Sequence, residues 1–364
     1  MIDVVEKYQK YGINPLLISV ATGQAVGTIS QRPTAAMLPG KYSKIVYKHI
    51  KEVNEEFPEN IFRLTCGKCG KSGDYDLGTI VFSTDSTDTG NGVEKFQALG
   101  YFRCKHCNTA GEWVLSPRIQ AMIAMKMAAA AMINMAGADR TDGVIFGEAI
   151  IDSAFLPQWG SDAESYFLKK LTETPDNAYF WNRLGNSYYR GKRPDLAVFA
   201  HEQALANDIG QVESHYSIGK ILIECGELEK ASEHLRQAVA FSYQYKYLKA
   251  YDLREIIVGA IEILLTIYKR SSNKINILPK PNEQAMAHLT KSQIAATAML
   301  DFEIEYDRRE TLYPLAEVYL GDRRNELLPE ERAIRKQSNT PVWPLASKVN
   351  KQKPAKKNKN KKRR

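Results

Sequence analysis

The sequence predicts an α+β multidomain chain: a small β module bearing cysteines, then an all-α helical array, then a disordered basic tail. Three observations carry this. Two Cys-x-x-Cys pairs sit among short β-branched and aromatic runs between residues 61 and 116. Beyond Pro117 the pattern becomes helical, and the stretch 161–242 repeats itself with a period of 34 residues. From Lys348 to Arg364 there are ten basic residues and no acidic one.

Length and composition set the frame. A chain of 364 residues holds two or three domains, and an apolar share of 44% with 25% charged residues is that of a globular protein. The formal net charge of +8 belongs to the tail. Without its ten basic residues, 40 Lys and Arg remain of 50, against 42 Asp and Glu. The N-terminal Met1-Ile2-Asp3 has an acid where a secretory leader needs a base, and no apolar segment is long and uninterrupted enough to span a bilayer. The expectation is a cytoplasmic protein with no membrane partner, and five cysteines fit a reducing compartment.

Residues 1–60 read as a mixed segment. Gly12–Gly40 is rich in Gly, Pro, Ser and Thr and reads as irregular connection. Lys41–Phe57 spaces Ile45, Val46, His49, Ile50 and Val53 as an amphipathic helix. In 61–116 the runs IFRLT, GTIVFS, FQALGYFR and EWVL flank the cysteines as strands, and a polar insertion at Ser83–Lys95 separates the halves.

The pairs are Cys66-Gly-Lys-Cys69 and Cys104-Lys-His-Cys107. Two residues between cysteines let one tight turn aim both sulfurs at a point, and two such turns supply four thiolates in a tetrahedron. Gly67 and Gly70 give the first turn backbone freedom, and Asn108 and Gly111 are similarly placed around the second. This segment resembles a zinc ribbon, with 34 residues between the pairs where 15–20 are commoner. The resemblance implies one structural Zn2+ held by Cys66, Cys69, Cys104 and Cys107. Four thiolates leave no open position for chemistry, and His106 inside the second turn has no vacancy to fill.

Segment 117–160 is a Met/Ala-rich helix and connection. Ser116-Pro117 opens it, and its apolar side is expected to dock on neighbouring elements. In 161–242, a shift of 34 pairs Leu184 with Ile218, Gly185 with Gly219, Tyr188 with Leu222, Ala197 with Ala231 and Ala204 with Ala238. With Trp181 leading, this resembles the tetratricopeptide repeat, and Ala163, Phe167 and Pro175 continue its frame upstream as half of an earlier unit. Small residues stand where two helices cross closely. Gly191 lies one place early for the turn, and Cys225 is a small residue at the turn of the second unit. Too few units are present to bury a continuous face, so helices at Tyr243–Arg270, Asn282–Asp307 and Arg309–Arg323, within 243–332, are expected to cap the array. Residues 333–364 are read as the disordered tail.

The resemblance implies a concave groove lined by the first helix of each repeat, which holds a protein or peptide. In register it carries Tyr179, Asn182, Asn186, Tyr189, Arg190, Tyr216, Lys220 and Glu224. The tail cations Lys356, Lys357, Lys359, Lys361, Lys362, Arg363 and Arg364 suit salt-sensitive contact with RNA, DNA or the ribosome. No phosphate-cradling glycine loop, His-Glu-x-x-His or Gly-x-Ser-x-Gly is present, and acidic pairs such as Asp152/Glu164 have no distinguishing context. The expected function is therefore that of a non-enzymatic adaptor. The alternative is a nucleic-acid regulator that reads its target with the ribbon, and an enzyme of unrecognised class stands third.

Overall fold

The computed structural model describes residues 12–53, 56–82, 96–135, 143–151, 155–298, 304–305 and 308–334. The fold is mixed α/β, with small sheets and many helices. The 83–95 insertion and the basic tail, Lys356–Arg364 included, lie outside the described residues.

Two three-stranded sheets build the cysteine region. In the first, β1 (Ile61–Cys66) pairs antiparallel with β2 (Ser72–Asp76) and, along its other edge, with β5 (Trp113–Val114). In the second, β3 (Ile80–Phe82) pairs antiparallel with β4 (Phe96–Ala98) and parallel with β6 (Val144–Phe146). Alternation along β1 turns Phe62, Leu64 and Cys66 inward. Their core takes Ile119 and Ile123 of the following helix, Val144 of β6, and Trp159. It therefore draws on residues well beyond 116.

That helix runs Pro117–Met135. Its docked side is Ile119, Ile123 and Ala130, while Met122, Met125, Met132 and Met135 face outward. The apolar side of the helix thus docks as expected, through Ile119, Ile123 and Ala130 with Met127 packed beside them, and four of its methionines are left outside that contact.

The array is built of antiparallel helix pairs. After α1 (Pro15–Thr22), α2 (Tyr42–Lys48) and α3 (Pro117–Met135) come α4 (Gly160–Glu173), α5 (Ala178–Arg190), α6 (Pro194–Asn207), α7 (Val212–Glu224) and α8 (Leu228–Phe241). The period-34 positions Leu184, Ile218, Ala197, Ala231, Ala204 and Ala238 are all buried. A Cβ on Gly185 would lie 2.6 Å from the His201 ring, and one on Gly219 would lie 2.6 Å from Leu235. The glycines thus set how closely α5 crosses α6 and α7 crosses α8. The turn glycine one place early has a physical account. Gly226 adopts φ +77° in the second turn, and 34 residues earlier it is Lys192 that adopts φ +63°. Gly191 instead gives way to Tyr101, whose Cβ lies 2.7 Å from where a Cβ on Gly191 would sit.

The N-terminal segment departs from expectation. Gly12–Gly40 contains α1, whose Leu17 and Ile18 are buried and which packs on α4. Pro at the first helical position and Asn14 accepting from Leu16 N start that helix, and Gly23 at φ +73° stops it. The helix expected over Lys41–Phe57 ends at Lys48. Three backbone N–H groups at its start, on Lys41, Tyr42 and Ser43, donate to the carboxylate of Glu202 on α6 at 2.6–3.1 Å. By covering α6, α2 explains why Leu196 to Ala200 are all buried.

The C-terminal helices cap the array with boundaries that differ from the periodicity. α9 (Ala250–Arg270) packs on α8. The single helix expected at Asn282–Asp307 is two, α10 (Pro281–Met286) and α11 (Lys291–Ala298). They part at His288, with φ +51°, and at Thr290, which exchanges hydrogen bonds with Gln293 as a new N-terminal cap. The last, α12 (Tyr313–Leu320), is shorter than Arg309–Arg323 because 3-10 segments, Arg309–Leu312 and Gly321–Glu326, flank it. Buried ion pairs fasten these pieces: Arg236 to Glu283 at 2.9 Å, and Arg254 to Glu317 at 3.3 Å.

One carboxylate joins the three regions. Glu164 of α4 is fully buried. Its Oε1 accepts from the hydroxyls of Tyr101 (2.8 Å) and Tyr188 (2.6 Å), and its Oε2 from Arg103 Nη1 and Asn14 Nδ2 (both 3.0 Å). The sequence gives this residue no distinguishing context, since nothing local marks it as buried. Replacing Glu164 by Ala is expected to cost about 3–5 kcal/mol, because the Arg103 charge is left without its buried partner; equilibrium denaturation measures it.

Three histidines are sealed in the array. His215 Nε2 lies 2.9 Å from the Ile209 carbonyl, so that nitrogen carries the proton. Its Nδ1 must then accept, at 2.9 Å, from His234 Nδ1. His201 Nδ1 faces Ser214 Oγ at 3.1 Å. Burial lowers His215 to about 4 and His201 to about 3, and burial followed by His215 and Lys41 lowers His234. Unfolded imidazoles take up protons below about 6.5. The stability held by the neutral rings is thus complete above about pH 7 and is lost as pH falls from about 6.5 toward 4. Denaturation midpoints across that range should fall, with a shallower slope in His201→Asn.

Candidate functional site

The cysteine centre is built from two matching turns. In the first, Gly70 N donates to Cys66 O (2.9 Å) and Cys66 N to Lys71 O (3.1 Å). In the second, Asn108 N donates to Cys104 O (2.9 Å) and Cys104 N to Thr109 O (2.8 Å). Gly70 and Asn108 both take left-handed backbone, φ +69° and +59°, which reverses the chain directly after each pair. Asn108 bears this because its side chain donates to the carbonyls of Ile13 (2.9 Å) and Gln31 (2.8 Å).

These turns bring all four sulfurs within 4.8 Å of one another. Cys66 Sγ lies 3.7 Å from Cys107 Sγ, and Cys69 Sγ 3.7 Å from Cys104 Sγ. Thiolates at about 2.3 Å from a tetrahedral ion stand about 3.8 Å apart, so the set fits such an ion with all four positions taken. Each cysteine is free of disulfide bonding. His106 is exposed and stands outside the cluster. Behind the ligands, Arg103 donates through Nε to Asn108 O (2.9 Å) and through Nη1 to Glu164. The second turn is thereby hydrogen-bonded to the N-terminal segment and, through Arg103, to the array.

A second site lies between α5 and α7. A cavity of about 320 Å³ is lined by Arg183, Asn186, Tyr189, Arg190, Tyr216 and Lys220, among others. Of the eight residues placed in the groove by register, Asn186, Tyr189, Arg190, Tyr216 and Lys220 line this cavity. Tyr179 stacks instead on Tyr247 at 5.5 Å, and Glu224 does not line it. Asn182 is buried between the repeats, its Oδ1 accepting from Ser214 Oγ at 2.9 Å. Register alone missed Arg183 and Glu213. Arg183 lies seven residues, two helical turns, before Arg190, a spacing that could have revealed it.

The cavity is unevenly charged. Glu213 accepts from Tyr245 OH (2.6 Å) and Asn186 Nδ2 (3.4 Å), and lies 3.9 Å from Arg183. Arg190 has no hydrogen-bond or carboxylate partner among the described residues. Partial burial, and then the neighbouring Arg183, lower its pKa. The fifth cysteine, Cys225, is buried at the α7–α8 turn, where burial pushes its thiol up to about 12. It stays protonated and unreactive.

Treating the protein with a chelator, or replacing Cys107 by Ser, should loosen more than the cysteine region. Hydrogen exchange is expected to rise in residues 12–31 as well as 61–114, because Asn108 ties the two together. Exchange confined to 61–114 would show that the N-terminal segment holds without the centre.

No protein-family model matches the chain, and no solved structure matches it. Among curated proteins, a peroxisomal targeting signal receptor from Candida albicans is 38% identical over 69 residues. The match covers 19% of this chain and 12% of the receptor's length. No helix among the described residues is long and apolar enough to cross a membrane.

Proposed function

We propose that this chain is a non-enzymatic adaptor that binds a protein or peptide in the cavity between α5 and α7, with a structural zinc in the cysteine centre. The observation that carries it is the composition of that cavity. Three cations, two tyrosines and an asparagine converge from consecutive first helices of a repeat array, a layout suited to an extended peptide with acidic groups. The similarity to a targeting-signal receptor agrees with this reading at the level of a helical, protein-binding array.

Cys66, Cys69, Cys104 and Cys107 would hold the zinc. Bound there, it would serve as a cross-link between two turns. The chain's own residues do the rest: Asn108 and Arg103 orient the second turn, and Glu164 fastens it to α4. We further read the tail from Lys348 to Arg364 as a sequence-independent phosphate contact that adds to avidity rather than to specificity. The ribbon-as-reader alternative is weaker, since the second turn is already occupied by the N-terminal segment.

A peptide array scored for binding to the full chain tests the adaptor reading. Binders should be enriched in Asp and Glu and should weaken about tenfold or more in Arg183→Ala/Arg190→Ala, with circular dichroism unchanged. Binding indifferent to both arginines would place the partner elsewhere.

A further inference from the structure

Part of the cavity's wall is a piece of the connecting chain. Between α2 and β1, Phe57 lines the cavity, and Glu56 beside it engages two of the cavity's lining side chains. The Glu56 carboxylate pairs with Lys220 Nζ at 2.7 Å and is hydrogen-bonded to the Tyr189 hydroxyl. Phe57 packs edge-to-face on the Tyr189 ring, with centroids 5.6 Å apart at 80°. Lys220 Nζ also stands 5.5 Å over that ring. Burial, followed by the Glu56 charge, pushes the Tyr189 phenol well up, so the hydroxyl remains a donor to a carboxylate.

Several features set this contact apart from the ordinary fixing of a connecting segment. Downstream, Asn60 is buried and anchored by its N to Asp76 Oδ1 (2.8 Å) and its Nδ2 to the Gly78 carbonyl (2.7 Å). Upstream, α2 is anchored by Glu202. Chain path is therefore held on both sides without help from 56–57. The contacts that 56–57 makes are of the weak, partly exposed kind: side chains of Glu56 and Lys220 keep 38% and 28% of their exposure. They engage side chains of α5 and α7, which belong to the two repeats whose first helices line the cavity. Arg183 and Arg190, on the rest of the cavity wall, are not used by Glu56 or Phe57.

We propose that Glu56–Phe57 is an internal stand-in for the ligand, so that the cavity recognises peptides in which an acidic residue directly precedes an aromatic one and must displace 56–57 to admit them. The acidic side chain takes Lys220 and the Tyr189 hydroxyl. The aromatic ring takes the Tyr189 face, beside Ile256 of α9 and Ile150. A ligand longer than the pair places a further carboxylate against Arg190, which the internal segment leaves without one. This deepens the adaptor reading and rests on it.

The probe is a capped, fluorescein-labelled peptide with this chain's own residues 51–60, KEVNEEFPEN, added to the full chain and followed by anisotropy. Binding to Glu56→Ala/Phe57→Ala should be about tenfold tighter than to the unaltered protein. Adding Lys220→Ala to that variant should abolish the gain. Glu56→Gln keeps the shape of the segment and removes only its charge; it should tighten binding about threefold, and it serves if the double variant does not fold. Equal affinity for the unaltered and opened proteins would overturn the stand-in. If array peptides still bind in an arginine-dependent way in that case, the adaptor reading survives without it. No binding of the probe to any variant also overturns the stand-in, and the array alone then judges the adaptor reading.

Discussion

Everything in this molecule turns on an anion that water cannot reach. Glu164 sits in the wall of α4 with four donors on its two oxygens, drawn from three stretches of chain: Asn14, the Tyr101–Arg103 segment that supplies two, and Tyr188. A buried carboxylate is tolerated only when it is fully hydrogen-bonded and charge-paired. That requirement makes the N-terminal segment, the cysteine region and the repeats conditional on one another. Pull one away and the carboxylate loses donors in a place where no solvent replaces them.

Around this point the contacts reinforce it. Tyr101 N donates to the Gly191 carbonyl (3.0 Å), and the buried Lys192–Asp76 pair at 2.8 Å ties the α5–α6 turn to β2. Arg193 pairs with Asp195 at 2.9 Å and donates to the Gly12 carbonyl. The turn between two repeat helices, normally a surface connection, is here the floor on which the cysteine region stands. A left-handed lysine is an unusual choice for such a turn. Its strain is offset by the ion pair that this backbone conformation lets it make.

The cysteine centre and the cavity are consequently parts of one framework. The centre fixes the second turn, that turn fixes Asn108 and Arg103, and these hold the N-terminal segment against α4. The same segment continues through α2 to Phe57, which walls the cavity, and to Glu56, which pairs with Lys220 at its edge. A metal ion held by the four cysteines would bear on the cavity only by keeping that path in place. The array supplies its own rigidity, since α2 and α9 close its open sides.

The sequence by itself determined the features that depend on short-range spacing. The cysteine pairs 66/69 and 104/107 can aim at one point whatever surrounds them, and the period of 34 forces Gly185 and Gly219 to the helix crossings. Those were legible because turn geometry and helix contact are set within a few residues. The break between α10 and α11 was also written locally, in Thr290-Lys-Ser-Gln293, but the helical periodicity over Asn282–Asp307 runs straight through it. What only the tertiary structure decided is whatever depends on partners distant in the chain. Glu164 reads as an ordinary surface acid until four remote donors surround it. Gly191 and Lys192 read as a displaced turn until Tyr101 and Asp76 arrive. Asn182 sits in groove register yet is claimed by Ser214 of the next repeat, and Gly12–Gly40 reads as loop because its helix is fixed by packing on α4. Burial is a property of the assembled chain, and local pattern cannot say which polar side chains it will enclose.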